Sequence, residues 1–322
     1  MKPALLVATK GWDVESWARR IRHLLPEHPI LCTERSGVYA GPEAGLAEVA
    51  YILAWKPRQD VIDRLLGLQV IFSLGAGVDH IFALPRLPDV PLVRTVDPDL
   101  TARMTEYVVW QALHHLRRGH AYALQQSEHL WRDLPQPAAR HVTVGIMGLG
   151  VLGRSAADAL IHLGFPIRAW TRRPKQAPDI ELFHGPDGMD PFLAGVDILV
   201  ALLPLTPATT GMINLALLKK LRREGPLGGP FFINAGRGRS HVEADIVEAL
   251  RDGTLAGASL DVFETEPLDG ESPLWDLPNV VITPHVAAVS DPEALAGQIA
   301  EQIRRFERGE PLRNLVDPRC GY

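Results

Sequence analysis

The turn Gly148-Leu149-Gly150-Val151-Leu152-Gly153 directly follows an apolar run over residues 142–147. In a strand–turn–helix unit with this spacing, Gly148 permits a tight turn, Gly150 lets the backbone approach a pyrophosphate, and Gly153 lets the helix pack on the strand. Free N–H groups at the start of the helix favour a dianion. The turn therefore predicts a dinucleotide site, and a purely structural turn is the alternative. The predicted contacts are Gly148, Gly150, Val151, Leu152 and Gly153.

The end of the next predicted strand indicates which dinucleotide the site prefers. A site for NAD places Asp or Glu about 20 residues after the turn, where the carboxylate accepts hydrogen bonds from ribose hydroxyls. Here the strand ends in Trp170-Thr171-Arg172-Arg173, without a carboxylate. Arginine forms bidentate, charge-assisted bonds with phosphate oxygens. Thr171, Arg172 and Arg173 therefore predict a 2′-phosphate site and a preference for NADPH over NADH, with a solvated basic turn as the alternative.

Three further side chains able to take part in catalysis, Arg237, Glu266 and His285, each lie shortly after a later apolar run. Open α/β sheets bind ligands beyond the carboxyl ends of their strands, so we expect these segments near the cofactor. Taken alone, each of the three residues is more typical of a surface ion pair or of a structural histidine. Their order along the chain carries more information than their types.

Short apolar runs rich in Val, Ile and Leu alternate with longer amphipathic stretches along the chain. This pattern is typical of buried parallel strands joined by helices, so the sequence predicts an α/β fold with parallel sheets. Helices are predicted at 14–25, 60–66, from a capping Thr101 toward Tyr122, and at 292–308. Strands are predicted at 4–8, 49–54, 70–74, 142–147, 167–170, 197–203, 230–234, 256–260 and 280–282, with weaker ones near Ile30 and Leu92.

Length, charge and cysteine content indicate how many domains the chain forms and which partners and metal sites it lacks. The 322 residues suffice for two domains with cores of their own. A net charge of −5 leaves no basic excess, so no nucleic-acid partner is predicted. Cys32 and Cys320 form no metal-binding pattern, so no metal is predicted. No apolar run approaches the ~20 residues of a membrane span, so we expect no membrane partner and a cytoplasmic location.

The order of five motifs resembles the D-isomer-specific 2-hydroxyacid dehydrogenase family, and the match extends over residues 142–285. Further segments look like the glyoxylate/hydroxypyruvate reductase A type of that family, so that nearly the whole chain is covered. The family motifs are the glycine turn, Leu203-Pro204-Leu205-Thr206-Pro207, Asn234-Ala235-Gly236-Arg237-Gly238, Asp261-Val262-Phe263-Glu264-Thr265-Glu266-Pro267 and Pro284-His285. The further segments are Leu74-Gly75-Ala76-Gly77-Val78-Asp79, Trp170-Thr171-Arg172, Pro284-His285-Val286-Ala287-Ala288 and Gly321-Tyr322.

The resemblance implies that Arg237 binds the substrate carboxylate and polarises its carbonyl, that His285 donates a proton, and that Glu266 is hydrogen-bonded to His285. Physical chemistry supports these roles. A guanidinium binds a carboxylate while lying close to the charge that develops on the neighbouring oxygen. Hydride transfer to C2 makes an alkoxide, and a histidine oriented by a carboxylate is suited to protonate it.

Other contacts are also implied by the resemblance. Backbone N–H groups of Ala76 and Gly77 are expected to hold the substrate carboxylate, with a plain turn as the alternative. Asp261 is expected near the nicotinamide, with a cap of the strand end as the alternative. Trp55, just after a strand, is predicted separately to form a wall of the pocket, with a partly buried core position as the alternative. Gly236 replaces the more common alanine of the family, and we expect it to loosen the loop that carries Arg237. The remaining cofactor contacts implied are Leu203, Pro204, Ala235, Gly236, Arg237 and His285.

The resemblance implies two Rossmann-like or flavodoxin-like domains. The cofactor domain, residues 99–286, is inserted into a discontinuous substrate domain formed by residues 1–98 and 287–322. A homodimer formed through residues 101–140 is expected. The implied activity is NADPH-dependent reduction of glyoxylate to glycolate and of hydroxypyruvate to D-glycerate. Two alternatives stay open: a dehydrogenase for a larger 2-oxo acid, and a non-enzymatic scaffold that senses NADPH.

Overall fold

The computed structural model describes residues 2–321 and consists of two compact α/β units. Unit 1 contains the chain up to Leu100 and again from Ser290, and unit 2 is Thr101–Val289. All strand pairs within the two sheets are parallel, which confirms the predicted fold class. Tyr322, part of the sequence resemblance, lies outside the described residues. Within residues 2–321, no helix has both the length and the apolar character that a membrane span requires.

Unit 1 is built on a five-stranded sheet with helices on both faces. Its elements are β1 (Ala4–Thr9), α1 (Val14–Leu24), β2 (Ile30–Cys32), α2 (Glu43–Ala47), β3 (Val49–Trp55), α3 (Gln59–Ile62), β4 (Val70–Ser73), α4 (Asp79–Phe82), β5 (Leu92–Val93) and, near the end of the chain, α11 (Pro292–Glu307). The strand order is β2-β1-β3-β4-β5. Leu5 and Val7 of β1 pack with α1 and α11, while Leu6 packs on the opposite face with α2 and α3.

Unit 2 is built on a seven-stranded sheet. Its elements are α5 (Pro98–Leu116), α6 (Gly119–Ser127), β6 (Val144–Met147), α7 (Val151–His162), β7 (Ile167–Thr171), β8 (Glu181–His184), α8 (Met189–Leu193), β9 (Ile198–Ala201), α9 (Leu215–Leu218), β10 (Phe231–Asn234), α10 (Glu243–Arg251), β11 (Gly257–Leu260) and β12 (Val280–Ile282). The strand order is β12-β11-β10-β9-β6-β7-β8. Val200 and Leu199 of β9 belong to cores on opposite faces, which explains why this strand is wholly apolar.

The strand order of unit 2 creates one point at which the direction of winding reverses. From β6 the chain continues to β7 on one side, and it later returns to β9 on the other side. In an open parallel sheet, the crevice at such a point is where ligands bind, beyond the carboxyl ends of the strands. The glycine turn follows β6 directly, so the sheet places the predicted dinucleotide site at this position.

The structure differs from the sequence predictions at the long helix. α5 begins three residues before Thr101, and the carboxylate of Asp97 accepts a hydrogen bond from the N–H of Asp99 (3.0 Å), so Thr101 is not the cap. The helix does not continue to residue 122, because Arg118 has φ of +59°, a left-handed conformation that an α-helix cannot contain. Strand β8 was not predicted, since its half-exposed residues form no apolar run.

Buried polar groups fix the end of β10. The Asn234 side chain donates to the carbonyl oxygen of Arg237 (3.2 Å) and to Nδ1 of His241 (2.8 Å), and its Oδ1 accepts from the N–H of Gly236 (3.0 Å). Ser240 Oγ also donates to the Arg237 carbonyl (2.6 Å). Since Nδ1 of His241 accepts a hydrogen bond, the ring must be neutral at that nitrogen. The turn bearing Arg237 therefore depends on an uncharged, buried histidine.

Acidification should destabilise the protein through His241. Burial lowers the pKa of His241 to about 4, whereas histidine in an unfolded chain titrates near 6.5. Between these values the unfolded chain binds a proton that the folded chain excludes, so stability rises with pH. We expect the free energy of unfolding to fall by roughly 2 kcal/mol from about pH 7.5 to about pH 5 through this group. Chemical denaturation followed by circular dichroism measures the change.

The matched variant is His241→Gln, which keeps a hydrogen-bonding side chain and does not titrate. It should show a correspondingly smaller loss of stability on acidification. His23→Gln, at an exposed position of α1, serves as the control and should keep the full pH dependence. An unchanged pH dependence in His241→Gln would contradict the assignment.

Candidate active site

Two glycines of the turn after β6 are required by sterics, and the third leaves the backbone open. Gly148 has φ of +100°, and a β-carbon there would lie 2.7 Å from the carbonyl oxygen of Leu202. A β-carbon on Gly153 would overlap the carbonyl oxygen of Gly148. At Gly150, which precedes α7, a β-carbon would meet nothing within 4 Å. The backbone at Gly150 is thus open to a ligand, at the helix end that favours an anion.

A basic segment follows β7 and is connected to the glycine turn. Thr171 Oγ1 donates to the carbonyl oxygen of Arg173 (2.7 Å), and the side chains of Arg172 and Arg173 are exposed. Lys175 Nζ donates to the carbonyl oxygen of Leu149, in the middle of the glycine turn (2.6 Å). Sequence reasoning did not identify Lys175, although a third cation two residues after Arg173 was visible. The two segments together can accept a group that carries several phosphate charges.

His285 and Glu266 form a hydrogen-bonded pair. Nδ1 of His285 lies 2.7 Å from Oε2 of Glu266, and Oε1 of Glu266 accepts from the N–H of Phe263 (3.1 Å). Burial disfavours ionisation of Glu266, but the hydrogen bonds from His285 and Phe263 and the charges of His285 and Arg237 outweigh it, so the pKa of Glu266 is lowered. The His285 side chain is 47% exposed. Its Nδ1 is the ring nitrogen that faces Glu266, and Nε2 is the other one.

The turn that carries Arg237 is closely packed. A guanidinium nitrogen of Arg237 donates to the carbonyl oxygen of Gly236 (2.9 Å). A β-carbon on Gly236 would lie 3.1 Å from the carbonyl oxygen of Leu203 and 3.2 Å from that of Ala201. The glycine thus allows close contact with the segment after β9, and its loosening effect on the loop stays a prediction. The same contact brings the predicted residues Leu203, Pro204 and Ala235 to adjacent positions at the ends of β9 and β10.

Asp261 follows β11 and binds the segment that contains His285. Its Oδ1 accepts from Thr283 Oγ1 (2.7 Å) and from the N–H of Val286 (2.9 Å), and its Oδ2 accepts from the N–H of Ala287 (3.0 Å). Asp261 is 1% exposed, so these bonds satisfy a buried carboxylate. The contact with nicotinamide stays a prediction, whereas the structure shows this carboxylate holding the backbone after His285.

The predicted substrate residues of unit 1 lie at the ends of β3 and β4. Trp55 stacks on Trp12, with ring centroids 4.7 Å apart, and its ring contacts His80 at 4.5 Å. A β-carbon on Gly75 would lie 2.5 Å from the Trp55 ring, so the indole covers the start of the loop. Ala76 and Gly77 continue this loop with partly exposed backbone. Trp12 was not predicted, and no motif in the sequence distinguishes it.

The structure thus groups the predicted residues in two sets. The first set lies at the carboxyl ends of strands in unit 2, and it contains Gly148, Gly150, Val151, Leu152, Gly153, Thr171, Arg172, Arg173, Leu203, Pro204, Ala235, Gly236, Arg237, Asp261, Glu266 and His285. The second set lies in unit 1 and contains Trp55, Ala76 and Gly77. Two further residues, Tyr107 and Thr283, are hydrogen-bonded to each other in unit 2 and were missed.

Known proteins resemble the chain over its whole length. Glyoxylate/hydroxypyruvate reductase A of Escherichia fergusonii is 39% identical over 322 residues, which cover 97% of both chains. A probable 2-hydroxyacid dehydrogenase from Rhizobium etli, solved with NADP, HEPES and L(+)-tartaric acid, is 48% identical with a TM-score of 0.94 and full coverage of both chains. The NADPH-dependent glyoxylate/hydroxypyruvate reductase of Sinorhizobium meliloti, solved with NADP and sulfate, is 48% identical with a TM-score of 0.90, also with full coverage of both chains.

A family model agrees with these likenesses. Residues 109–287, more than half of the chain, match the model described as D-isomer specific 2-hydroxyacid dehydrogenase, NAD binding domain. The matched residues fall within unit 2, which carries the glycine turn and the Arg237, Glu266 and His285 set. On this match and on the full-length relatives, the chain belongs to the D-isomer specific 2-hydroxyacid dehydrogenase family, a family of oxidoreductases that act on the CH–OH group of hydroxy acids.

Proposed function

We propose that the protein reduces small 2-oxo acids with NADPH, converting glyoxylate to glycolate and hydroxypyruvate to D-glycerate. The proposal is carried by Arg237, Glu266 and His285, which lie at the carboxyl edge of the sheet that also bears the glycine turn. The names of the Escherichia fergusonii and Sinorhizobium meliloti relatives support the same substrates. In this proposal unit 2 is the cofactor domain and unit 1 is the substrate domain.

The residues after β6 and β7 fit a dinucleotide with a 2′-phosphate. Bound NADPH supplies the hydride for C2 of the substrate. We assign its pyrophosphate to the open backbone at Gly150 and its 2′-phosphate to Arg172 and Arg173, with Lys175 as a third cation. Relatives solved with NADP support the choice of this cofactor. The further cofactor contacts at Leu203, Pro204, Ala235, Gly236 and Asp261 stay part of the proposal.

Arg237 and His285 act on the substrate in this proposal. The Arg237 guanidinium binds the carboxylate of the 2-oxo acid and stabilises the charge that develops on the neighbouring oxygen. Glu266, whose lowered pKa keeps it ionised near neutral pH, accepts a hydrogen bond from Nδ1–H of His285. His285 therefore presents Nε2 to the alkoxide and delivers its proton there. Ala76 and Gly77 are assigned to the same carboxylate through their N–H groups.

The aromatic residues of unit 1 favour a small substrate over a larger 2-oxo acid. Trp55 covers the start of the loop that contains Ala76 and Gly77. The Trp55 ring is in turn stacked on the ring of Trp12. Trp55 also contacts the His80 ring, and a side chain packed against two other rings cannot rotate away without losing packing energy. We therefore assign Trp55 as the wall that limits the side chain of the 2-oxo acid.

A homodimer and a cytoplasmic location complete the proposal. The segment 101–140 exposes four large apolar side chains in the single chain, and one of them, Trp131, is fully exposed. Apolar surface concentrated on one segment is typical of a protein interface. A second copy of the chain is the partner that we assign to this segment, whose exposed apolar residues are Trp110, Leu124, Leu130 and Trp131.

Removing the proton donor or the carboxylate-binding group should give different kinetic defects. We expect His285→Ala to lower kcat with glyoxylate by roughly 10²- to 10⁴-fold, because the alkoxide loses its general acid. The Kd for NADPH should stay nearly unchanged. Arg237→Ala should raise KM as well as lower kcat, since the charge binds both ground and transition states. Stopped-flow and steady-state absorbance of NADPH measure these values.

The control for Arg237 is Arg239→Ala, an exposed arginine two residues away, and the control for His285 is His184→Ala, at the exposed end of β8. Both controls should behave like the parent protein. Near-normal kcat/KM in His285→Ala or Arg237→Ala would show the assigned role to be wrong. Faster reduction of a bulky 2-oxo acid than of glyoxylate by the parent protein would overturn the substrate assignment.

Cofactor preference should depend on the basic segment. The double variant Arg172→Ala/Arg173→Ala should lose roughly 100-fold or more in kcat/KM for NADPH, because each of the two charge-assisted bonds contributes about 1.5–3 kcal/mol. The value for NADH should change little. The control is the double variant Arg223→Ala/Arg251→Ala, which removes two exposed arginines of the same unit. It should keep the preference for NADPH. Equal use of both cofactors by the parent protein would contradict the 2′-phosphate assignment.

The assembly is tested by sedimentation velocity at micromolar concentration. The parent protein should sediment as a dimer, and Trp131→Glu should shift it toward the monomer because a charge then lies in the apolar interface. Leu66→Glu, at an exposed position of unit 1, is the control and should leave the dimer intact. A monomeric parent protein would refute the homodimer.

A further inference from the structure

Helix α5 directs three polar side chains into the interior of unit 2. Tyr107, Gln111 and His115 are spaced four residues apart, which places them on one face of the helix. They are 6%, 0% and 1% exposed. The surrounding core is otherwise apolar, and a buried polar group is costly unless it is hydrogen-bonded. We call Tyr107, Gln111 and His115 the polar stripe of α5. Packing alone does not explain why three polar groups are buried there.

Tyr107, the first residue of the stripe, is connected by hydrogen bonds to the segment that contains His285. The hydroxyl of Tyr107 lies 2.8 Å from Thr283 Oγ1, which in turn donates to Asp261 Oδ1 at 2.7 Å. A carboxylate can only accept, so the hydroxyl hydrogen of Thr283 is committed to Asp261. Tyr107 must therefore be the donor to Thr283. Burial raises the pKa of Tyr107, which keeps the phenol protonated for this bond.

The other two residues form a parallel chain one turn further along α5. His115 Nε2 lies 2.8 Å from Ser259 Oγ, and Ser259 Oγ donates to Gln111 Oε1 at 2.7 Å. Ser259 is two residues before Asp261, on β11. Because the hydroxyl hydrogen of Ser259 is committed to Gln111, Nε2 of His115 is the donor to Ser259. Burial lowers the pKa of His115, which favours the neutral ring. Two sets of hydrogen bonds, one through Thr283 and one through Ser259, thus connect the stripe on α5 to the end of β11.

The backbone of His285 requires such support. Its φ is +56°, a left-handed conformation that is unfavourable for a residue with a β-carbon. The conformation is held by bonds to Asp261: the N–H of His285 donates to the Asp261 carbonyl (2.8 Å), and the N–H groups of Val286 and Ala287 donate to its carboxylate. The position of the His285 ring therefore depends on the orientation of the Asp261 carboxylate.

We propose that Tyr107 and Thr283 are positioning residues, which orient the Asp261 carboxylate and through it hold the backbone of His285 so that the ring meets both Glu266 and the substrate. This inference rests on the proposed function, in which His285 is the proton donor. The two hydroxyls are hydrogen-bonded to each other, and that of Thr283 also to Asp261. Their effect passes through the two oxygens of Asp261.

The test uses single-hydroxyl changes. Tyr107→Phe and Thr283→Val should each lower kcat with NADPH and glyoxylate about 10-fold, while KM and the Kd for NADPH change less than about 2-fold. Proton delivery should become slower relative to other steps, so the ratio of kcat in H₂O to kcat in D₂O should rise. Thr283→Ser, which keeps the hydroxyl, should restore kcat to within about 2-fold of the parent value. A structural role alone would change thermal stability and leave the isotope effect unchanged.

Tyr51→Phe is the matched control, because Tyr51 is a buried tyrosine of unit 1 whose pKa burial raises to about 12. It should lower the melting temperature and leave kcat and the isotope effect unchanged. The proposed function is checked first, with the parent protein and His285→Ala. If the parent turns over and His285→Ala does not, an unchanged kcat in folded, NADPH-binding Tyr107→Phe and Thr283→Val overturns the positioning role. An inactive parent protein would instead count against the proposed function.

Discussion

Parallel pairing of the strands in unit 2 is the constraint on which the site depends. Because β6, β7 and β9 to β12 all run in the same direction, their carboxyl ends meet at one edge, and six loops far apart in sequence become neighbours. Apolar residues on both faces of the sheet fix the register, since a shift by one residue would move each side chain to the opposite core. The loops are then free to carry polar groups without weakening the sheet.

Buried hydrogen bonds convert that edge into a defined geometry. Asn234 and Ser240 hold the carbonyl oxygen of Arg237, and the Asp261 carboxylate holds the backbone after His285. The main chain that carries both Arg237 and His285, the side chains proposed to act on the substrate, is therefore held by hydrogen bonds. Such pre-organisation reduces the reorientation that must accompany the reaction, and this is the main way in which an enzyme site stabilises developing charge.

At the end of the site that is proposed to bind the cofactor, an accessible backbone matters more than a rigid one. Gly150 leaves the backbone open where an anion is favoured, while Gly148 and Gly153 allow contacts that any β-carbon would prevent. Lys175 bonds to the carbonyl oxygen of Leu149 and so brings positive charge beside the turn. The exposed Arg172 and Arg173 are the residues proposed to bind the 2′-phosphate, and they would be desolvated only when the ligand binds.

The sequence by itself determined the α/β class, the glycine turn, the absence of a carboxylate after β7 and the order of motifs that marks the family, because each of these depends on residue type at short, fixed spacing. Only the tertiary structure decided which distant groups meet. It joined Tyr107 to Thr283, 176 residues further along the chain, joined Thr283 to Asp261, stacked Trp12 on Trp55, and placed Gly236 in close contact with the segment after β9. It also divided the long helix at Arg118. Hydrogen bonds and close packing between remote segments have no local pattern, so they become visible only when the sheet brings those segments together.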